Sequence, residues 1–164
     1  MATSAPAPLH VFKFQVDFFT DSLTDDTSHE QFPVCSGAFA ECTGLEGTME
    51  TKVIKEGGRN YGVAQRAGGT AFATVVLKRG ISANRNLFQI FNTLATGTFA
   101  PRMQVTINLF DTDGNAVLAW TLVRAMPVKY KFSDFNAKSG EIGIEELHLA
   151  HEGLWSDSPS TQWI

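Results

Sequence analysis

From Phe12 to Phe18, and again from Met103 to Leu109, apolar side chains fall on every second residue, and this period of two constrains the chain more than anything else in it. Phe12, Phe14, Val16 and Phe18 share one side of an extended segment with Lys13, Gln15 and Asp17 on the other, while Met103, Val105, Ile107 and Leu109 alternate with Gln104, Thr106 and Asn108. A half-buried strand of an antiparallel sheet has this signature. Further extended segments are expected at residues 34–43, 72–78, 117–126 and 141–150, and residues 48–55 read as a mixed, β-branched segment. Leu118, Trp120 and Leu122 should share a face, and Pro127 should bend or end their ladder. In the last segment Ile142 and Ile144 have one parity and Leu147 and Leu149 the other, which predicts a bulge at Glu145-Glu146 or halves with different apolar partners.

One segment carries helical spacing instead. Leu87, Ile90, Phe91 and Leu94 fall at i, i+3, i+4 and i+7, with Ser82 or Asn84 available as a cap and Gly97 as a stop. The turn chemistry agrees with a β-rich fold, because Asp111-Thr112-Asp113-Gly114-Asn115 offers the positive-φ residues of a tight hairpin. Residues 20–33 are rich in Asp, Ser and Thr and read as a polar loop. Residues 56–69 carry five glycines and no usable period, and read as a long loop. Many short strands and one helix close best as an antiparallel sandwich or barrel with the helix on its flank.

A chain of 164 residues fits a single core, which at this size buries roughly 70% of the unfolded surface. The domain is expected over residues 11–154, after a small, Pro-spaced arm at 1–10 and before a tail at 155–164. With 43% hydrophobic and 18% charged residues, the chain lies far from the disordered regime. Thirteen Phe against two Tyr favour core or dry interface over wet ligand contact. The net charge of −4 supplies no broad cationic field for nucleic acid. The first ten residues lack a basic end and apolar stretch, and no run approaches a membrane span, so synthesis in the cytoplasm is expected.

Chemistry-bearing patterns are weak. Asp111, Asp113 and Asn115 resemble the start of a calcium loop, but Gly114 comes two positions early and Leu122 stands where a bidentate Glu is required. Residues 57–69 match neither phosphate-cradling glycine spacing. His148 and His151 would point apart on a strand, and Cys35 and Cys42, read as buried thiols on opposite faces, complete no zinc spacing. No Gly-x-Ser-x-Gly elbow or triad can be singled out. No catalytic residue, metal site or cofactor is therefore expected.

Several phrases, in order over residues 11–154, resemble the phage tail tube protein family, which includes the inner tube proteins of contractile phage tails and of extracellular contractile injection systems. They are Phe39-Ala40-Glu41-Cys42-Thr43-Gly44-Leu45, Lys55-Glu56-Gly57-Gly58, Leu77-Lys78-Arg79-Gly80-Ile81, the helix phrase Leu87-Phe88-Gln89-Ile90-Phe91-Asn92, Ala125-Met126-Pro127-Val128-Lys129-Tyr130, and Leu147-His148-Leu149-Ala150-His151-Glu152-Gly153-Leu154. The resemblance implies a mainly β, antiparallel sandwich or barrel of the tail-tube (secreted-ring-like) type with one flanking helix. It further implies a structural, non-enzymatic subunit that forms stacked hexameric rings with copies of itself. Sheath protein, baseplate or spike, and tube-terminating proteins are the implied partners, with a protein effector or DNA as cargo in the lumen. The glycine-bearing loop is the candidate subunit interface, through Gly57, Gly58, Arg59, Asn60, Tyr61, Gln65 and Arg66. Departures are the length of residues 20–33, Met126 in place of an aromatic, and the tail. The alternatives are a type VI secretion ring protein, a monomeric β-sandwich ligand-binding module using Trp120, Trp155 or Trp163, and a hydrolase.

Overall fold

A computed structural model of the chain describes residues 13–21, 37–81, 85–97, 102–134, 138 and 140–157. In chain order its elements are β1 (Phe14–Asp21), β2 (Gly37–Ala38), β3 (Glu41–Thr43), β4 (Gly47–Ile54), β5 (Ala64–Phe72), β6 (Val75–Gly80), α1 (Asn86–Thr96), β7 (Arg102–Phe110), β8 (Ala116–Phe132), β9 (Ile144–Ala150) and β10 (Gly153–Asp157). All pairings are antiparallel. The order β2-β1-β7-β8-β9-β6-β3 forms the body, β10 adds to β8, and β4 and β5 pair only with each other.

The body is a sheet folded on itself along β8, a strand of 17 residues. Its first half pairs with β7 on one side and β10 on the other, and its second half pairs with β9. Two irregularities make the corner. Arg124 takes φ 51°, and the register skips where Val105 pairs Leu122 but Met103 pairs Ala125, so one extra β8 residue is inserted there. A second skip lies between Pro127 and Lys129. Bulges of this kind bend a strand and strengthen its twist. Pro127 thus bends the ladder without ending it, and the strand runs on to Phe132.

The alternation read from sequence is the packing observed. Val16 and Phe18 from β1 and Met103, Val105, Ile107 and Leu109 from β7 are buried, and they face Val75, Leu77, Leu147 and Leu149 from the opposite layer. Leu118, Trp120 and Leu122 pair with Leu109, Ile107 and Val105 on that same inner side, with Trp120 packed against the core. Phe39, between β2 and β3, is also buried. Cys42 is partly buried, and desolvation pushes its thiol up to about 11, which leaves it protonated and inert at neutral pH. Cys35 lies outside the described residues.

Leu87 and Ile90 of α1 enter the core, while Phe88 and Phe91 hold Tyr130 between them at ring separations of 5.7 and 6.3 Å. Gly97 ends the helix in an extended conformation, its N–H bonded to the Thr93 carbonyl. The N-cap position is Arg85, with no side-chain cap, and Ser82 and Asn84 lie outside the described residues. Beneath the helix sits a buried polar group. Glu145, 3% exposed, takes the ion pair of Arg79 on one oxygen and the Tyr130 hydroxyl on the other at 3.0 Å, and Arg79 lies 5.8 Å over the Phe39 ring. Desolvation, with this bond to Glu145, lifts the Tyr130 phenol to about 12.

Glu145 also explains an overturned expectation. The β6–β9 register runs unbroken from Gly80–Ile144 to Val75–Leu149, with no bulge at Glu145-Glu146. Ile142 precedes the strand and is 81% exposed, Ile144 points outward, and Glu145 occupies the inward parity of Leu147 and Leu149 because Arg79 and Tyr130 satisfy it there. The 111–115 segment is the expected hairpin. The Asp111 carboxylate accepts the backbone N–H groups of Asp113 and Asn115 at 2.9 Å, and these bonds, the Asn115 one first, hold it below the usual carboxylate range. Only Gly114 there takes positive φ; Asn115 does not.

Three boundaries also move. β1 continues through Asp21, into residues read as loop, and the remainder of 20–33 lies outside the described residues. β10 continues to Asp157, beyond the position at which the sequence reading ends the domain. Residues 64–69, read as loop, belong to β5. Their backbone pairs with β4, and both faces of that hairpin are largely exposed, so no apolar alternation marks it. Within the hairpin Met49 pairs Thr70 and Thr51 pairs Ala67, which sets Glu50 alone against Gly68 and Gly69. A Cβ on Gly68 would stand 2.8 Å from the Glu50 carbonyl oxygen, so Gly68 is required for close backbone approach.

Two expectations follow. Glu145→Ala leaves Arg79 buried without its carboxylate and should cost about 3–5 kcal/mol in urea unfolding, as breaking a buried pair does. Gly68→Val should raise amide hydrogen exchange across β4 and β5 while leaving β7 and β9 protected, since the clash is confined to the hairpin bulge.

Candidate assembly interface

The β4–β5 hairpin forms an arm that packs extensively on no other element of the described structure. Its base is held by the Ala73 N–H donating to the Glu46 carbonyl at 3.0 Å, and by Phe72, whose ring lies 5.4 Å from that of His151. His151 is oriented by its Nδ1, 2.9 Å from the Gly153 carbonyl, and its Nε2 is buried with no hydrogen-bond partner among the described residues. Beyond that base the arm stands in solvent. Met49, Val53, Ile54 and Val63 are 57, 54, 44 and 46% exposed, and Tyr61 is 95% exposed. A two-stranded hairpin is marginal in water on its own, and an apolar one is a site awaiting a cover.

The candidate residues divide between the tip and the strand. Gly57, Gly58, Arg59, Asn60 and Tyr61 lie in the turn that joins β4 to β5, with Gly58 at φ 85° and open space where a side chain would begin. Arg59 pairs with Glu56 at 3.4 Å, both well exposed, so the pair contributes little and the guanidinium remains available. Gln65 and Arg66 lie on β5, opposite Val53 and Lys52. The structure thus gathers five of the seven at the tip and places two along the arm, on opposite faces.

Sequence reasoning missed the arm's β4 half. Met49, Val53 and Ile54 were read only as part of a mixed segment, although apolar side chains on a strand with no buried face are themselves the signal. It also missed that Lys52 stands directly opposite Arg66, with no ion-pair partner for either among the described residues. Like charges directly across a ladder are destabilising.

The second interface feature is the rim of the body. In the layer β2-β1-β7-β8-β10, no described strand pairs with the outer edge of β10. At the other end β2 covers only Gln15 and Val16, which leaves the β1 edge from Asp17 to Asp21 unpaired among the described residues. Beside β10 lies a cleft of about 260 Å³ lined by Gln104, Thr121, Val123 and Trp155, on the face away from the core. His148 contacts Glu146 at 3.4 Å rather than His151, and among the described residues no three His, Cys, Asp or Glu side chains converge as a metal site would need.

The sequence profile of the T4-like virus tail tube protein gp19 family matches residues 10–155. No curated protein sequence gives a significant match. Among solved structures the fold superimposes on a chain of the anti-feeding prophage baseplate, 6-fold symmetrised, with TM-score 0.77, 26% identity, and coverage of 97% of this chain and 100% of that one. It also superimposes on chains of the PVC extracellular contractile injection system. One is in the sheath–tube complex in the extended state, with TM-score 0.72, 20% identity and 92% of each chain covered. Another is in the sheath/tube terminator in the extended state, with TM-score 0.72, 21% identity, and 96% and 100% covered. The profile spans nearly the whole chain and the architecture is shared end to end, so the chain belongs to the tail tube protein family.

Proposed function

We propose that this chain is a structural subunit of the inner tube of a contractile phage-tail-like injection system, assembling with copies of itself into stacked hexameric rings. The observation that carries the reading is the pair of open edges on one layer. Apart from the two-residue β2, the strands β1, β7, β8 and β10 alternate in direction across it, and their number is even. In a cyclic ring every copy points the same way along the axis. The β10 strand of one copy then meets β1 of the next antiparallel, as every other pair in the layer does. Closure continues the ladder and removes the edges that would otherwise aggregate. The 6-fold symmetry of the related baseplate assembly supports six copies per ring.

In this reading the subunit catalyses nothing; its work is mechanical. Closing the layer makes a hollow conduit, through which a protein effector or DNA passes or within which it is carried. A contracting sheath drives the tube through the target envelope, and baseplate, spike and terminator proteins occupy its ends. The face away from the core supports a non-sticky bore, since Gln15, Asp17, Gln104, Thr106 and Asn108 bring amides, a hydroxyl and a carboxylate to its middle. The arm makes the remaining contacts between copies, through Gly57, Gly58, Arg59, Asn60, Tyr61, Gln65 and Arg66 and the exposed apolar residues of β4.

Electron microscopy of the purified protein should show rings or tubes, and particles carrying sheath and baseplate should hold it as a continuous central cylinder. Gly58→Leu and Arg59→Glu should abolish tubes while leaving the circular dichroism spectrum of the subunit unchanged, since neither touches the core. Arg59→Glu should leave the thermal midpoint within about 2 °C of wild type, and Gly58→Leu should lower it through strain at φ 85°. Normal tubes in both variants would remove the tip from the interface.

A further inference from the structure

Across the layer that bears the open edges, the face turned away from the core has a specific arrangement of side chains. Asp17, Thr106, Thr121 and Trp155 lie in one row, each paired with the next. Gln104, Thr106 and Thr121 make the inner part of this face partly polar, and Phe19 and Trp155 stand on its outermost strands. Phe19, half-buried, is paired with Gln104 and so shares the face, on the part of the β1 edge that no described strand pairs. Trp155, 60% exposed, stands on β10, the outermost strand at the other end.

Trp155 is shaped to receive something from beyond β10. A Cβ on Gly153 would lie 3.5 Å from the indole Nε1, so the ring is drawn back along β10 over a residue without a side chain. Its flank forms one wall of the 260 Å³ cleft, with Gln104, Thr121 and Val123 as the others. The bulge at Val123-Arg124 leaves Gln104 without a one-to-one partner across β8, which opens the floor of that cleft.

We propose that Trp155 is the anchor of the lateral joint, packed in the ring against Phe19 of the neighbouring copy. The inference rests on the tube reading and deepens it. The occupant is a second copy because the strand that continues the layer past β10 is the stretch of β1 left unpaired among the described residues, and Phe19 is the aromatic that stretch turns to this face. The row ending at Trp155 begins at Asp17, and a closed barrel requires a stagger between rows. That stagger must be even in residues, since an odd one would exchange the two faces. A stagger of two brings Phe19 opposite Trp155, and side chains one pair away on the diagonal remain within aromatic reach. Aromatic anchors of this kind dominate binding at protein interfaces.

The test uses the full chain. Trp155→Ala and Phe19→Ala should each raise the concentration at which rings form by at least tenfold, with Trp155→Phe close to wild type and all three retaining the subunit's circular dichroism spectrum. As a second measurement, Phe19→Cys with Trp155→Cys should give a reducible intermolecular ladder ending at the closed ring. Each single cysteine variant should show no more than the native cysteines produce. Rings at wild-type concentrations in both alanine variants, together with no ladder, overturn the joint and leave the tube reading standing. Wild-type protein that stays monomeric at every concentration, with baseplate and sheath present, overturns both. If an alanine variant fails to fold, the ladder alone decides.

Discussion

The architecture depends on one strand serving two layers. β8 pairs on both sides over its first half and with β9 over its second, so every other body strand is positioned relative to it. That sharing is possible because two of the strand's register breaks, at Arg124 and at Pro127-Lys129, insert a residue that turns the pleat. Glu152 reinforces the first break by taking Arg124 at 2.8 Å, with Arg102 at 3.9 Å. The corner is therefore held by charge at the surface and by Leu122 and Ala125 within. Without it the two layers would be one flat sheet with an apolar face in water.

Once the corner is made, what remains exposed sorts into two kinds of surface. Among the described residues, backbone groups are unpaired along the outer edge of β10 and along β1 from Asp17 to Asp21, while apolar side chains are exposed along the β4–β5 arm. Unpaired backbone selects partners by direction and spacing, whereas exposed apolar area is indifferent to both. A subunit with the two kinds on different parts of its surface can use the first to define a ring and the second to hold what the ring meets. The buried Arg79–Glu145–Tyr130 group stiffens the subunit between them, since it ties β6, β8 and β9 to the helix through directional bonds.

Much of the body was legible in the residues because burial on one face writes a period of two. The parities of Phe14 to Phe18, Met103 to Leu109 and Leu118 to Leu122 are those of the core, and the spacing of Leu87 and Ile90 marks the helix face that is buried. The arm was not legible, since neither of its faces is buried and its pairing resides in the backbone; five glycines there made it read as loop. Glu145 misled for the opposite reason, being a charge on an apolar parity whose partners, Arg79 and Tyr130, are distant in sequence. Of the proposed interface, the sequence reading contains the tip from Gly57 to Tyr61 but assigns Trp155 to a tail, because nothing local announces that Gly153 to Asp157 pairs with β8.

The isolation of the arm has a consequence for when polymers appear. A hairpin supported only at its base must surrender its remaining conformational freedom on docking, and that cost recurs for each incoming molecule. Starting a new polymer requires several such losses before any closed surface rewards them, whereas extending an existing end requires one, met by a complete receptor. Growth is thus far easier than initiation. In the proposed assembly, dispersed subunits would then build filaments only where a preformed platform supplies the first layer.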